Sequence, residues 1–340
     1  MTRLSTIAEH ALPPLAVTLG DPAGVGPETV ARAWQLRGAE GLPPFFAIGT
    51  RAALEAVGFD GFAVIGAPDE AAARFERALP LIELPDTGPV QPGRPDAAGA
   101  HQAVDALELG VGLARNGAAG ALVTGPVSKA QLHAIGFGHP GQTEFVAERC
   151  GVAEANVAML LVGGGLRAAP VTIHEPLSEV PARLSVDLIV SRGRVVARAL
   201  ARDFGIAAPR LAVAGLNPHA GEGGALGRED LDIIAPAIAE LCAEGVDAMG
   251  PLSADTLFHA RARAGYDAAL CMYHDQALIP VKTLAFDEGV NMTVGLPIVR
   301  CAPDHGTAYA IAGKVMAEPG AMIAAIRLAA ECAARRREQP

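Results

Sequence analysis

Short apolar runs that end in glycine, proline or a polar pair recur along this chain, and most are followed by a stretch with helical spacing of apolar residues. Residues 15–19, 45–48, 63–66, 120–124, 159–162, 170–173 and 211–216, and the run that opens at 269, read as buried strands. Helices are expected over about 28–36, 51–57, 100–115, 145–150, 184–203, 230–241, 253–265, 308–316 and 320–334, the last running into a charged tail. Residues 85–99, rich in proline and glycine, read as a surface connection. The alternation predicts an α/β fold, a layered sheet with covering helices.

Composition sharpens this picture in three places. A chain of 340 residues with 51% hydrophobic content buries at least one large core and favours two domains, while 39 glycines and 26 prolines demand more turns than a helical bundle needs. A net charge of -10 argues against a nucleic-acid partner, yet a small anionic substrate needs only local positive charge. The five cysteines, dispersed and odd in number, indicate neither a disulfide framework nor a paired-cysteine zinc site. Without an apolar span of about 18 residues or a basic-then-apolar start, the expectation is a cytoplasmic protein with no membrane partner.

Candidate chemistry gathers where strands end. His174, His219 and His274 each follow an apolar run. Their spacing is too long for a compact metal finger but suits ligands delivered by separate strand ends to one catalytic metal; ordinary hydrogen-bonding loop histidines are the alternative. His10, His101, His133 and His259 lack this pattern and read as surface or packing residues. After His274 come Asp275, able to orient a ligand or tune a base, Lys282, a cation for an alkoxide or phosphate, and then Asn291 and Arg300. The turn 20–28, GDPAGVGPE, faces either an anion or nothing but a strand-to-helix connection, and its glycine spacing is not the dinucleotide fingerprint. Lys129 opens a helix in a polar turn, and Gln142 and Thr143 either cap a helix or line a substrate loop. Asp304, His305, Gly306 and Thr307 form a turn of anion- or nucleotide-reading character, with a helix N-cap as its bland alternative.

The motifs GDPAGVGPE, TGPVSK (124–129), GQTEF, the His174 turn, NPHAGEGG (217–224), GPLSADTLF (250–258), YHDQALIPVK (273–282), GVNMTVGLPIVR (289–300) and PDHGTA (303–308), in this order over most of the chain, resemble the 4-hydroxythreonine-4-phosphate dehydrogenase family of pyridoxal phosphate synthesis. The resemblance implies a two-domain isocitrate/isopropylmalate dehydrogenase-like fold with an interdomain cleft. Residues 1–127 and 300–340 would form a discontinuous cofactor-side domain, and 128–299 the metal, substrate and dimerisation domain. It implies a homodimer whose sites are shared between chains, with His174, His219 and His274 holding one divalent ion, Zn, Mg or Co.

For the reaction, the resemblance implies oxidation of a phosphorylated hydroxy-amino acid by NAD, with NADP as the alternative, followed by decarboxylation of the β-keto acid. Lys282, with Asp275 and Asp255, is the candidate for proton handling. Gln142, Thr143, Asn291, Arg300, Lys129 and Lys282 would bind substrate, and Asp304, His305, Gly306, Thr307 and Leu296 the cofactor. Gln142 stands where the family commonly has histidine, replacing a titratable group by a neutral amide. Other readings are a related dehydrogenase of phosphorylated threonate, erythronate or a cyclic diol carboxylate, and a small-molecule binder without catalysis.

Overall fold

The computed structural model describes residues 12–338; His10 lies outside them. The fold is α/β. Contacts divide the chain into two compact units, one of residues up to Gln142 together with Pro297–Glu338, the other of Thr143–Leu296. The divisions fall at 142/143, inside the helix Gln142–Arg149, and at 296/297, where the sequence reading placed them near 128 and 300.

The first unit holds the strands β1 (Leu15–Thr18), β2 (Phe45–Gly49), β3 (Phe62–Val64), β4 (Leu79–Glu83) and β5 (Leu122–Thr124), with the late strand Arg300–Pro303 added. Their order is β3-β4-β2-β1-β5 and then Arg300–Pro303, and each pairing is parallel. β1, β2 and β5 are buried throughout, as strands covered on both faces must be, which is why they read as unbroken apolar runs. Because β1, β5 and Arg300–Pro303 are neighbours running the same way, the turns that follow them open at one edge. In doubly wound sheets that edge is where ligands bind.

The second unit holds β6 (Ala158–Gly163), β7 (Leu166–Pro170), β8 (Arg210–Ala214), β9 (Asp247–Leu252), β10 (Ala268–Cys271) and β11 (Val290–Val294), in the order β11-β6-β7-β10-β8-β9. β6 pairs antiparallel with β11 and β7, whereas β7, β10, β8 and β9 run parallel. The long helix Val186–Phe204 buries Ile189, Val190, Val195, Val196 and Leu200, its Ser185 cap accepting from Leu188 N at 3.1 Å.

Several elements differ from the sequence reading. Residues 274–284, for which no helix was expected, form one. The helix expected over 253–265 is two short ones, Ala254–Leu257 and Ala260–Arg263, separated where His259 is extended and its ring accepts from Ala262 N. No helix forms over 308–316, since Ala308, Gly313 and Val315 take positive φ of 44, 73 and 59° and break right-handed winding. The second strand before His174 is Leu166–Pro170, so 171–173 lie past its end. Gln142 and Thr143 lie in the first turn of their helix rather than ahead of it. Cys242 is exposed, unlike buried Cys271, Cys301 and Cys332. Among the described residues no helix is long and apolar enough to cross a membrane.

Candidate active site

In the second unit the three histidines follow three adjacent parallel strands: His174 follows β7, His274 follows β10, and His219 follows β8. The strand ends are tied together beyond the sheet. Val171 N donates to Cys271 O at 2.7 Å and the Thr172 hydroxyl to Met272 O at 2.8 Å. Buried Gln276 then accepts from Met272 N at 2.6 Å and donates to Gly215 O at 2.8 Å, linking the end of β10 to the end of β8. The rings of His174 and His274 lie 5.7 Å apart, centroid to centroid. Asp275 Oδ1 is 2.7 Å from His274 Nδ1, a contact that fixes the ring and leaves Nε2 as the outward nitrogen. His274 and Asp275 share a concavity with Lys282, two turns further along the helix His274–Leu284.

His219 is placed differently. It sits on a left-handed turn in which His219, Ala220, Gly221, Glu222 and Gly223 have φ of 55, 51, 78, 43 and 65°. Each residue with a β-carbon held there costs roughly 1–2 kcal/mol. Asp255, in the turn after β9, lies within electrostatic reach: a hydrogen bond from Ser253 at 2.5 Å, and to a lesser degree the His219 ring, hold its carboxyl below the usual aspartate range. Asp255 therefore belongs with His219, while Asp275 and Lys282 belong with His274. Thr143 meets Thr293 of β11 at 3.5 Å, and Asn291 on the same strand has its side-chain oxygen buried without a hydrogen-bond partner among the described residues.

In the first unit the three motif turns touch. Asp21 N donates to Pro126 O at 2.9 Å and Val25 N to Thr307 O at 2.9 Å. The Tyr309 hydroxyl donates to Asp21 Oδ2 at 2.5 Å, and a β-carbon at Gly24 would stand 3.0 Å from Thr307 O. Burial raises the Asp21 carboxyl against the lowering effect of Tyr309, and burial with the Asp21 bond pushes Tyr309 up to about 12. Arg300 is buried, 4% exposed, and its guanidinium donates to Thr124 Oγ1 at 2.7 Å and Gln142 Oε1 at 3.3 Å. Gln142 in turn donates to Gly125 O at 3.2 Å. Lys129 is exposed at the start of a helix capped by Ser128. His305 Nδ1 lies 3.0 Å from Gly306 O, and its Nε2 is buried without a hydrogen-bond partner among the described residues. Leu296, in the other unit, has a fully buried side chain, so only its backbone, which accepts from Arg202, is offered to a ligand.

These residues fit a divalent ion in part. Imidazoles sharing an ion at about 2.0–2.1 Å per nitrogen place their ring centroids roughly 5 Å apart, close to the His174–His274 spacing, and Asp275 supplies the customary outer hydrogen bond. Among the described residues of one chain, however, no group of three His, Cys, Asp or Glu side chains converges. His219 is thus not gathered with the other two within the single chain.

The sequence model of the family described as pyridoxal phosphate biosynthetic protein PdxA matches residues 45–329. The chain belongs to this family. A PdxA relative from Zymomonas mobilis, a 4-hydroxythreonine-4-phosphate dehydrogenase, is 55% identical over 320 residues, covering 94% of this chain and 96% of its own. The crystal structure of the Klebsiella pneumoniae 4-hydroxythreonine-4-phosphate dehydrogenase superposes with a TM-score of 0.85 at 36% identity, over 94% of this chain and 99% of that one. A terephthalate 1,2-cis-dihydrodiol dehydrogenase from Burkholderia xenovorans LB400 superposes with a TM-score of 0.63 at 30% identity, over 93% and 97% of the two chains.

Sequence reasoning about this PdxA chain passed over Thr124, Asp230, Gln276 and Tyr309. Thr124 and Gln276 lie inside motifs already singled out, but what each of the four does depends on a partner elsewhere in the chain: Arg300 for Thr124, Asn217 for Asp230, Gly215 for Gln276 and Asp21 for Tyr309.

Proposed function

We propose that this chain is a 4-hydroxythreonine-4-phosphate dehydrogenase. It oxidises 4-phosphohydroxy-L-threonine with NAD to 2-amino-3-oxo-4-phosphooxybutanoate, which loses carbon dioxide toward 3-amino-2-oxopropyl phosphate in pyridoxal phosphate synthesis. The observation that carries the reading is the delivery of His174, His274 and His219 by three neighbouring parallel strands in a chain of the PdxA family. When bound, a divalent ion, Zn, Mg or Co, supplies Lewis acidity at the substrate hydroxyl and NAD accepts the hydride.

The chain's own residues bind, orient and move protons. His174 and His274 hold the ion, with Asp275 setting the His274 ring. A second copy of the chain brings His219 within reach, so that the homodimer completes each site. Lys282 shares the concavity of His274 and is the proton-transfer residue, assisted by Asp275; Asp255, held ionised beside His219, serves as an electrostatic partner. Arg300 and Lys129 neutralise the phosphate and carboxylate, and Gln142, Thr143 and Asn291 orient the substrate. Asp304, His305, Gly306, Thr307 and the Leu296 backbone hold the cofactor, NAD in preference to NADP. The two-domain isocitrate/isopropylmalate dehydrogenase-like architecture, with the first unit on the cofactor side, and a cytoplasmic location complete the reading.

A second reading is favoured by Gln142, whose neutral amide replaces the family's histidine: oxidation of a phosphorylated threonate or erythronate, or of a cyclic diol carboxylate. The deciding assay follows reduced cofactor formed by the metal-loaded chain with each substrate class and with NAD or NADP, before and after chelation. Turnover of 4-phosphohydroxy-L-threonine with NAD that chelation abolishes is expected. Tight substrate binding with no reduced cofactor would instead favour a binding protein.

A further inference from the structure

The left-handed turn that carries His219 is held by a residue outside it. Asp230, 0% exposed, opens the turn Asp230–Ile234 and aims its carboxylate back at the end of β8. It accepts from Leu216 N at 2.9 Å, from Asn217 N at 3.2 Å and from Asn217 Nδ2 at 2.9 Å. Asn217 also donates to Glu229 Oε2 at 2.8 Å, so the two residues that lead into the turn are fixed in both main chain and side chain.

The packing around this carboxylate leaves room for glycine only. A β-carbon at Gly215 would lie 2.6 Å from Asp230 Oδ1 and 2.9 Å from Ala220 Cβ. At Gly227 it would lie 2.5 Å from Asn217 Nδ2, and Gly221, at φ +78°, abuts Asp230 Oδ2. Three N–H donors converge on two oxygens, a match that aspartate alone provides. Asparagine would set an NH2 group against N–H donors, and glutamate would drive its extra methylene into Gly215.

We propose that Asp230 is the positioning residue for His219: by fixing residues 216 and 217 it forces the following residues into the left-handed turn that presents the imidazole. The inference rests on the reading of His219 as a metal ligand, and its test separates the two.

Zinc affinity, by competition with a chromophoric chelator, and amide hydrogen exchange of residues 216–224 are measured on the full chain for wild type, His219→Ala, Asp230→Asn, Ala220→Gly and the Asp230→Asn/Ala220→Gly double variant. His219→Ala weakens zinc and leaves exchange unchanged. Asp230→Asn speeds exchange and weakens zinc by roughly 10–100-fold, as loss of an orienting partner does. Glycine at 220 takes positive φ without a β-carbon, so it restores part of that affinity in the double variant and by itself raises the melting temperature. Wild-type exchange and affinity in Asp230→Asn overturns the inference. Unchanged zinc affinity in His219→Ala overturns the ligand reading, while exchange still reports whether Asp230 holds the turn. If Asp230→Asn does not fold, Ala220→Gly decides: a lowered melting temperature overturns the strained-turn account, and a raised one with zinc affinity retained supports it.

Discussion

At the scale of single residues, the contacts of Gln142 account for its chemistry. One amide spans the Gly125 carbonyl and the Arg300 guanidinium, donating at one end and accepting at the other, and it does so at any physiological pH. Replacement by leucine removes both bonds, and the KM for a phosphorylated substrate should rise about tenfold, the equivalent of one or two hydrogen bonds, with kcat little changed. Steady-state kinetics on Gln142→Leu checks this; an unchanged KM would show that Arg300 needs no such support. Gln142→His places a group that titrates near pH 6.5 beside Arg300. The pH profile of kcat/KM should gain an added inflection there. The glutamine itself was legible as a departure from the family pattern, but its partner was not, because Arg300 lies 158 residues away.

At the scale of elements, turns after parallel strands were legible from apolar runs ending in glycine and polar residues. The segments beyond those turns were less so. The helix His274–Leu284 contains Pro280, and the absent helix at 308–316 depends on positive φ at Ala308 and Val315, which no side-chain pattern announces. The Asp21–Tyr309 bond clips the turn after β1 to the segment past Thr307. Tyr309→Phe leaves a carboxylate oxygen buried without that donor, and urea unfolding should show a loss of about 1–3 kcal/mol. Because the folded Asp21 carboxyl lies above its usual 3.8, the protonated form is the one the fold prefers. Its contribution to stability is full below that value and is lost as pH rises through the raised one. Asp21→Asn has no such proton to lose. Relative to this variant, wild type should therefore lose stability as pH rises above the ordinary aspartate value of 3.8 in parallel urea titrations.

At the scale of the whole molecule, the helix that carries His274, Asp275 and Lys282 leaves Ile279 62% exposed, and Phe286 just beyond it is 75% exposed. If the proposed homodimer forms, apolar side chains so placed beside a candidate site are those the second copy would cover. Phe286→Asp with Ile279→Glu should sediment as a monomer and lose turnover. If His219 and His274 of one site come from different copies, mixing inactive His219→Ala and His274→Ala chains should restore roughly a quarter of wild-type activity. A mixture as inactive as its parts would place both ligands on one chain. The sequence alone was sufficient for the α/β class and the family, because apolar runs and motif order are local properties of the chain. Which strand lies beside which was decided only by the folded sheet. The pairing of β7 with β10 joins segments about a hundred residues apart, and that of β10 with β8 segments about sixty apart. Through them the His174 and His274 rings meet, and through buried Asp230 the His219 turn acquires its left-handed backbone.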